Sequence, residues 1–169
     1  LMELVPDLSI KGYMVQIGEM HINRKNFDIK QIDKNSFWTP DEKAADDWVA
    51  YLDDIRKARD SVGAVIEVLA KGVPVGLGAP IYGKLDADIT AAMMSINAVK
   101  GVEIGRGFEV VSLRGTENRD EISPSGFMSN NSGGTTGGIS TGQDIFASIA
   151  LKPTSSIMSS GNTINKSGK

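Results

Sequence analysis

The stretch from Ser129 to Ser156 constrains the fold more than any other part of the chain. It reads Ser-Asn-Asn-Ser-Gly-Gly-Thr-Thr-Gly-Gly-Ile-Ser-Thr-Gly-Gln, then Asp-Ile-Phe-Ala-Ser-Ile-Ala-Leu, then Lys-Pro-Thr-Ser-Ser. A glycine and hydroxyl loop runs into a short apolar strand, which delivers one lysine and three hydroxyls at its far end. Glycine tolerates positive φ and admits close approach to the backbone. Exposed N–H groups, hydroxyls and an ammonium are what an anionic ligand such as a phosphate requires. A mobile hairpin rich in turn residues has the same composition. Both readings stay open at this level.

A chain of 169 residues is long enough for one domain with a sizeable core. Eighteen basic residues against 21 acidic ones leave a net charge of −3, so no electrostatic argument favours nucleic acid or an anionic membrane. Without cysteine there is no disulfide, thiolate metal site or cysteine nucleophile. No apolar run reaches the length that spans a bilayer. The opening residues, Leu1-Met-Glu-Leu-Val, carry no start signal for any element, and the sequence reads as a piece of a longer chain.

Period-two alternation predicts a strand over residues 10–17, with Tyr13, Val15 and Ile17 on one side. A polar connection containing His21 follows, expected to be irregular as far as Ser36. Thr39-Pro40-Asp41-Glu42 then predicts a helix capped by Thr39, with proline in its first position and Glu42 closing a capping box. Ala45, Trp48, Leu52 and Ile55 recur at helical spacing, Asp53 and Lys57 form an i,i+4 pair, and the helix should stop near Ser61. Residues 64–71 read as a second strand. A second helix is expected from about Asp86 to Val99, capped by Asp86 or Asp88 and ended by Gly101. Its Ile, Ala and Met content leaves little polar face, which predicts burial on several sides. Residues 108–113 read as a third strand, and the strand inside the opening stretch is the fourth. The order β-α-β-α-β-β favours a mixed, layered α/β or α+β fold without internal repeats. Residues 1–156 are expected to form the domain and 157–169 a polar, frayed tail.

Few side chains stand out chemically. His21 is the one histidine, so no histidine pair for metal or relay exists in the chain, and it reads as an exposed loop residue. Asp86 and Asp88 read as helix-terminal carboxylates, and 117–121 as a solvated charged face. Gly161 to Ser167 lacks the glycine before lysine that a Walker loop requires. Lys152 differs, because Pro153 holds it extended at a strand end while Thr154, Ser155 and Ser156 add donors beside it. Asn97, near the end of an apolar helix, should have a definite hydrogen-bond partner.

Six strings in order carry a resemblance: Gly-Leu-Gly-Ala-Pro at 76–80, Lys-Leu-Asp-Ala-Asp at 84–88, Met-Ser-Ile-Asn-Ala-Val-Lys-Gly-Val-Glu-Ile-Gly at 94–105, Glu-Asn-Arg-Asp-Glu at 117–121, Gly-Gly-Ile-Ser-Thr-Gly-Gln at 137–143 and Leu-Lys-Pro-Thr-Ser-Ser at 151–156. Together they resemble the chorismate synthase family, densely from Ser61 to Ser156 and more loosely before. The resemblance implies an α+β fold of layered β-α-β sandwich type, of which this chain is a central part. It implies a cytoplasmic lyase of aromatic amino acid biosynthesis, usually a homotetramer. That enzyme eliminates phosphate and a ring proton from 5-enolpyruvylshikimate 3-phosphate, using reduced FMN with NADPH as the source of reducing equivalents. The FMN-contacting positions it implies are Asn97, Ala98, Gly137, Lys152, Pro153, Thr154, Ser155 and Ser156, with no metal, no nucleic acid and no membrane.

The chain departs from the family pattern in two ways. Family members are about twice as long; by the resemblance, the histidines that move the proton and most of the arginines that hold substrate would precede Leu1, and a further Arg-His-Asp-Pro cluster touching flavin and substrate would follow Lys169. Asn131, Ser132, Thr135 and Thr136 replace the residues common in the family's glycine loop. The expectation is therefore an inactive piece of a flavin-dependent lyase, set against a non-catalytic phosphate- or nucleotide-binding module and a non-catalytic core with severed contacts.

Overall fold

The computed structural model describes residues 5–168; the first four residues of the expected domain and Lys169 of the expected tail lie outside them. β1 (Ser9–Ile17) buries Tyr13, Val15 and Ile17 while their neighbours stay half-exposed, as alternation along a pleated strand dictates. β2 (Met20–His21) folds straight back onto it. The polar connection that follows is organised by two short 3₁₀ turns, Arg24–Asn26 and Ile29–Lys34, and contributes Ile22 and Ile32 to the core.

The first helix, α1, spans Glu42–Lys57, and its cap is Asp41 rather than Thr39. The Asp41 carboxylate accepts from Ala44 N at 3.3 Å, from Asn23 N at 2.8 Å and from the Asn26 side chain at 3.2 Å. One buried carboxylate thus satisfies the helix start and the preceding loop together, which draws the boundary two residues onward. Thr39 lies fully buried ahead of it. Arg59 in the left-handed region, φ 58°, closes the helix before Ser61. The expected Asp53–Lys57 pair is replaced by Asp53–Arg56 at 3.0 Å and Asp54–Lys57 at 2.9 Å. Trp48 has no exposed surface and packs edge-on against Phe37, with ring centroids 5.7 Å apart.

β3 (Ala64–Lys71) appears as expected. The second helix, α2, is shorter than its composition suggests, covering Leu85–Met94. Its N-cap is Lys84 without a side-chain bond, and Asp86 and Asp88 sit in the first turn, where carboxylates favour the helix dipole. Asn97 and Ala98 lie beyond its end, and Gly101, expected to terminate it, lies within β4 (Val99–Ile104). None of its residues is buried. This overturns the expected burial on several sides. Among the described residues α2 packs mainly on β4, with a smaller contact to the short ribbon strand at Ile139–Ser140, and β4 is the last strand of its sheet.

The third expected strand is also displaced. Residues 99–104 form it, while Gly107–Ser112 is a 3₁₀ turn. Gly105 at φ 61° turns the chain off the sheet, so the β-branched residues at 110 and 111 never reach a partner strand. A short helix, α3 (Gly115–Asn118), and two small ribbons follow: β5 (Ile122–Ser123) with β6 (Gly126–Phe127), and β7 (Thr135–Thr136) with β8 (Ile139–Ser140). β9 (Ile145–Leu151) then enters the main sheet, whose order is β2-β1-β3-β9-β4 with every neighbouring pair antiparallel. The long elements still run β-α-β-α-β-β, and the architecture is α+β as expected. Residues 157–168 form no helix or strand and lie exposed.

Burial separates two substitutions that composition alone would equate. Trp48→Ala should cost about 3–5 kcal/mol of stability through the cavity it leaves, read as a lower urea midpoint. Met94→Asp, at a position 44% exposed, should cost about 1 kcal/mol or less. A Met94→Asp protein that no longer unfolds cooperatively would show that α2 is covered.

Candidate flavin site

The carboxyl end of β9 is where the sequence-predicted residues converge. Leu151 pairs with Val99 across β9 and β4, and Lys152 N donates to Ala98 O at 2.9 Å. That bond places the Asn97–Ala98 turn directly beside Lys152, although 54 positions separate Ala98 from Lys152 in the numbering. Lys152, Pro153, Thr154, Ser155 and Ser156 then run exposed away from the sheet. Ser61 Oγ donates to Thr154 O at 2.6 Å and ties this segment to the loop after α1. Thr154 and Ser156 border an open cleft of about 430 Å³ whose other wall includes Leu52, Ile55, Arg56 and Arg59.

The donors here are available. Among the described residues neither Lys152 nor Arg59 has an ion pair, and the Asn97 side chain has no hydrogen bond. Asn97 is exposed, so the expectation of a buried amide with a fixed protein partner is corrected. It sits in the turn after α2 instead of on the helix. Ala98 holds φ 72°, a conformation that costs a residue with a Cβ about 1–2 kcal/mol. Arg59 at the cleft was missed in the sequence. Its charge resembled an ordinary helix-terminal arginine, and the left-handed backbone that aims it has no sequence signature.

Gly137 does not join this group. With Gly138 it forms the two-residue loop of the β7–β8 ribbon, at φ 61° and 87°, the turn type that matches strand twist and favours glycine at both positions. Gly138 O accepts from Leu85 N at 2.8 Å, so the turn rests at the start of α2, while Asn97 lies past its other end. The ten residues of α2 put about 15 Å between the two ends.

The first part of the glycine loop, from Asn131 to Gly134, is tied into the protein rather than left open. Asn131 N and Ser132 N donate to the Asp120 carboxylate at 2.6 and 2.9 Å, and Gly134 N donates to Asn130 Oδ1 at 2.7 Å. Those amides are used internally. Asp120, expected on a solvated face, therefore organises the loop. Burial pushes its carboxyl up, but the Ser129 hydroxyl and the two backbone N–H groups outweigh that and hold it below the usual carboxylate range.

A second polar centre lies on the sheet. Tyr13, Glu67, Ser148 and Glu103 are register partners across β1, β3, β9 and β4. Buried Glu67 receives both Arg24 guanidinium nitrogens, one at 2.8 Å. That bond raises the Arg24 pKa above its ordinary value, while burial and then the Glu67 charge raise that of the Tyr13 phenol. The pair borders a cleft of about 640 Å³ that also includes His21, which is exposed as expected. Among the described residues no group of three or more His, Asp or Glu is arranged to hold a metal ion.

The strained alanine generates a test. Ala98→Gly should raise stability by up to about 1 kcal/mol, because relief of the left-handed backbone exceeds the added freedom of the unfolded chain. A lower urea midpoint in the variant would contradict that balance.

Comparison with known proteins identifies the chain's relatives. The family model described as chorismate synthase matches residues 1–169. A chorismate synthase of Dinoroseobacter shibae is 63% identical over 169 residues, covering 98% of this chain and 46% of that protein. One from Paracoccus denitrificans is 57% identical over 173 residues, covering 100% of this chain and 47% of that one. A crystal structure of chorismate synthase superposes with a TM-score of 0.79 at 34% identity, covering 86% of this chain and 49% of that chain. The chain thus spans about half the length of these relatives. A match along all of its residues, with the fold of a solved member, places this chain in the chorismate synthase family.

Proposed function

We propose that this chain supplies part of the flavin site of a lyase that converts 5-enolpyruvylshikimate 3-phosphate into chorismate, losing phosphate and a ring proton with no net redox change. The observation that carries the reading is the bond from Lys152 N to Ala98 O at 2.9 Å. It assembles an ammonium, three hydroxyls and an unpartnered amide at one strand end. This donor set suits a phosphorylated, hydrogen-bonding cofactor such as FMN. Lys152 would supply a point charge for the phosphate, and Thr154, Ser155, Ser156 and Asn97 would supply hydroxyl and amide hydrogen-bonding groups. Pro153 restricts the segment, so less freedom is lost on binding. Gly137 belongs to the same reading through its open backbone at the other end of α2, where an added Cβ would meet nothing within 4 Å.

Reduced FMN supplies the transient reducing power for the elimination, and the protein's part is placement and electrostatics. NADPH as the reductant, a homotetramer and a cytoplasmic setting belong to the proposal; among the described residues no helix is long and apolar enough to cross a membrane.

In a chain extended to the full length of its relatives, Lys152→Ala should weaken FMN binding by the value of a charged hydrogen bond, about 1.5–3 kcal/mol, or roughly tenfold to a hundredfold. Fluorescence titration with FMN, and with AMP as a competing nucleotide, measures this. An unchanged FMN dissociation constant removes Lys152 from the site, and equal affinity for AMP would favour a general nucleotide-binding module. A polypeptide of residues 1–169 alone should form no chorismate under anaerobic conditions with reduced FMN. Its one histidine is at position 21, on β2 rather than β9, and general acid–base help is worth roughly a hundredfold to ten-thousandfold. Circular dichroism on the same sample separates inactivity from unfolding, and turnover by the folded polypeptide would overturn the expectation.

A further inference from the structure

We propose that Asp120 is a positioning residue for the flavin site, holding the β7–β8 turn and hence the Gly137 backbone in place. The inference rests on the flavin reading above, in which Gly137 is a contact position. Asp120 sits just after α3, outside the glycine loop, yet its carboxylate takes three hydrogen bonds from it. Oδ1 accepts from Ser129 Oγ at 2.6 Å and from Asn131 N at 2.6 Å, and Oδ2 accepts from Ser132 N at 2.9 Å. Bonds to an ionised acceptor are the strong ones.

Buried Asn131 fixes the same entry segment. Its side-chain N–H groups donate to Glu117 O at 3.2 Å and Asn118 O at 3.1 Å, and its Oδ1 accepts from Arg106 Nε at 2.7 Å. Loop, charged segment and the end of β4 are therefore one hydrogen-bonded unit. From Ser132 the chain needs only five residues to reach Gly137. The returning strand is fixed separately: Ser140 Oγ donates to Pro74 O at 2.6 Å and accepts from Leu77 N at 2.9 Å. Asp120 thus anchors the entry to the turn and Ser140 its exit. A turn carrying two glycines at positive φ has little stiffness of its own. Anchors on both sides let it present a fixed backbone to a ligand without an ordering cost at binding.

The test uses the chain extended to the length of its relatives. Asp120→Asn keeps the shape but removes the charge and sets an N–H₂ group against N–H donors. Ser129→Ala removes one bond and is the milder variant should Asp120→Asn fail to fold. Amide hydrogen exchange in the absence of flavin should quicken by about tenfold from Asn131 to Gly138. The FMN dissociation constant should rise about tenfold in Asp120→Asn and less in Ser129→Ala. At saturating FMN the visible circular dichroism of the bound flavin should change, which a purely structural role would leave alone. Unchanged exchange, or faster exchange with unaltered flavin affinity and spectrum, overturns the proposal. Lys152→Ala, measured alongside, separates the two levels. If it weakens FMN binding while the Asp120 and Ser129 variants do not, only the positioning role fails. If Lys152→Ala also leaves binding unchanged, the flavin reading fails and the positioning role falls with it.

Discussion

The antiparallel pairing of β9 between β3 and β4 is the interaction on which the remaining structure depends. Every residue of β9 faces a partner on β3, from Ile145 opposite Ala70 to Leu151 opposite Ala64. Ile145, Ala147 and Ile149 are buried in alternation. A strand paired on both sides satisfies its ladder donors and acceptors while burying an apolar face. Among the described residues β4 has no other partner in the sheet, so its registration, and that of the Asn97–Ala98 turn before it, follows from β9. The glycine loop enters at one end of this strand and Lys152 leaves at the other. The two features that mark the sequence chemically are thereby set at opposite ends of one rigid element.

Buried polar side chains supply much of what holds the loops. Asp41, Glu67, Asn131, Thr135 and Ser140 are all buried. Asp41 joins a helix start to a 3₁₀ turn, and Glu67 joins the central sheet to Arg24. Asn131 and Ser140 bind the glycine loop on either side. A chain with 19 glycines loses much conformational freedom on folding, and its loops bury little apolar area in return. Hydrogen bonds inside the protein are strong when complete and costly when broken. Networks of this kind therefore tend to make each loop conformation all-or-none. Among the described residues Trp48 Nε1 is buried without a hydrogen-bond partner, in a ring that packs edge-on against Phe37.

The same arrangement explains why the candidate site is open. Lys152 to Ser156 leave the sheet after its last ladder bond, and the segment is held at Ser61 rather than covered. α2 likewise offers Met94 to solvent, with Ile96 exposed just beyond its end. The relatives that the chain matches are about twice its length.

The sequence by itself determined the elements whose signal is local. Alternation placed β1 and β3 almost to the residue, the apolar run before Lys152 placed β9, and six ordered strings identified the family. It also selected Lys152 as chemically distinct, because a proline and three hydroxyls follow it directly. Tertiary structure decided what depends on partners distant in sequence. Val99, Val102 and Ile104 are β-branched, as are Val110 and Val111, and only the first set meets β9, because Gly105 turns the chain away before the second. Asp41 displaced Thr39 as the cap because it also had to satisfy Asn23 and Asn26. α2 looked buried because its residues are apolar, yet burial is a property of what packs against a helix. Asp120 read as a surface charge, since a carboxylate that accepts from residues 129–132 has no local pattern to reveal it. Local conformational preference is written in neighbouring residues, whereas hydrogen-bond partners across the fold exist only once the sheet has brought them together.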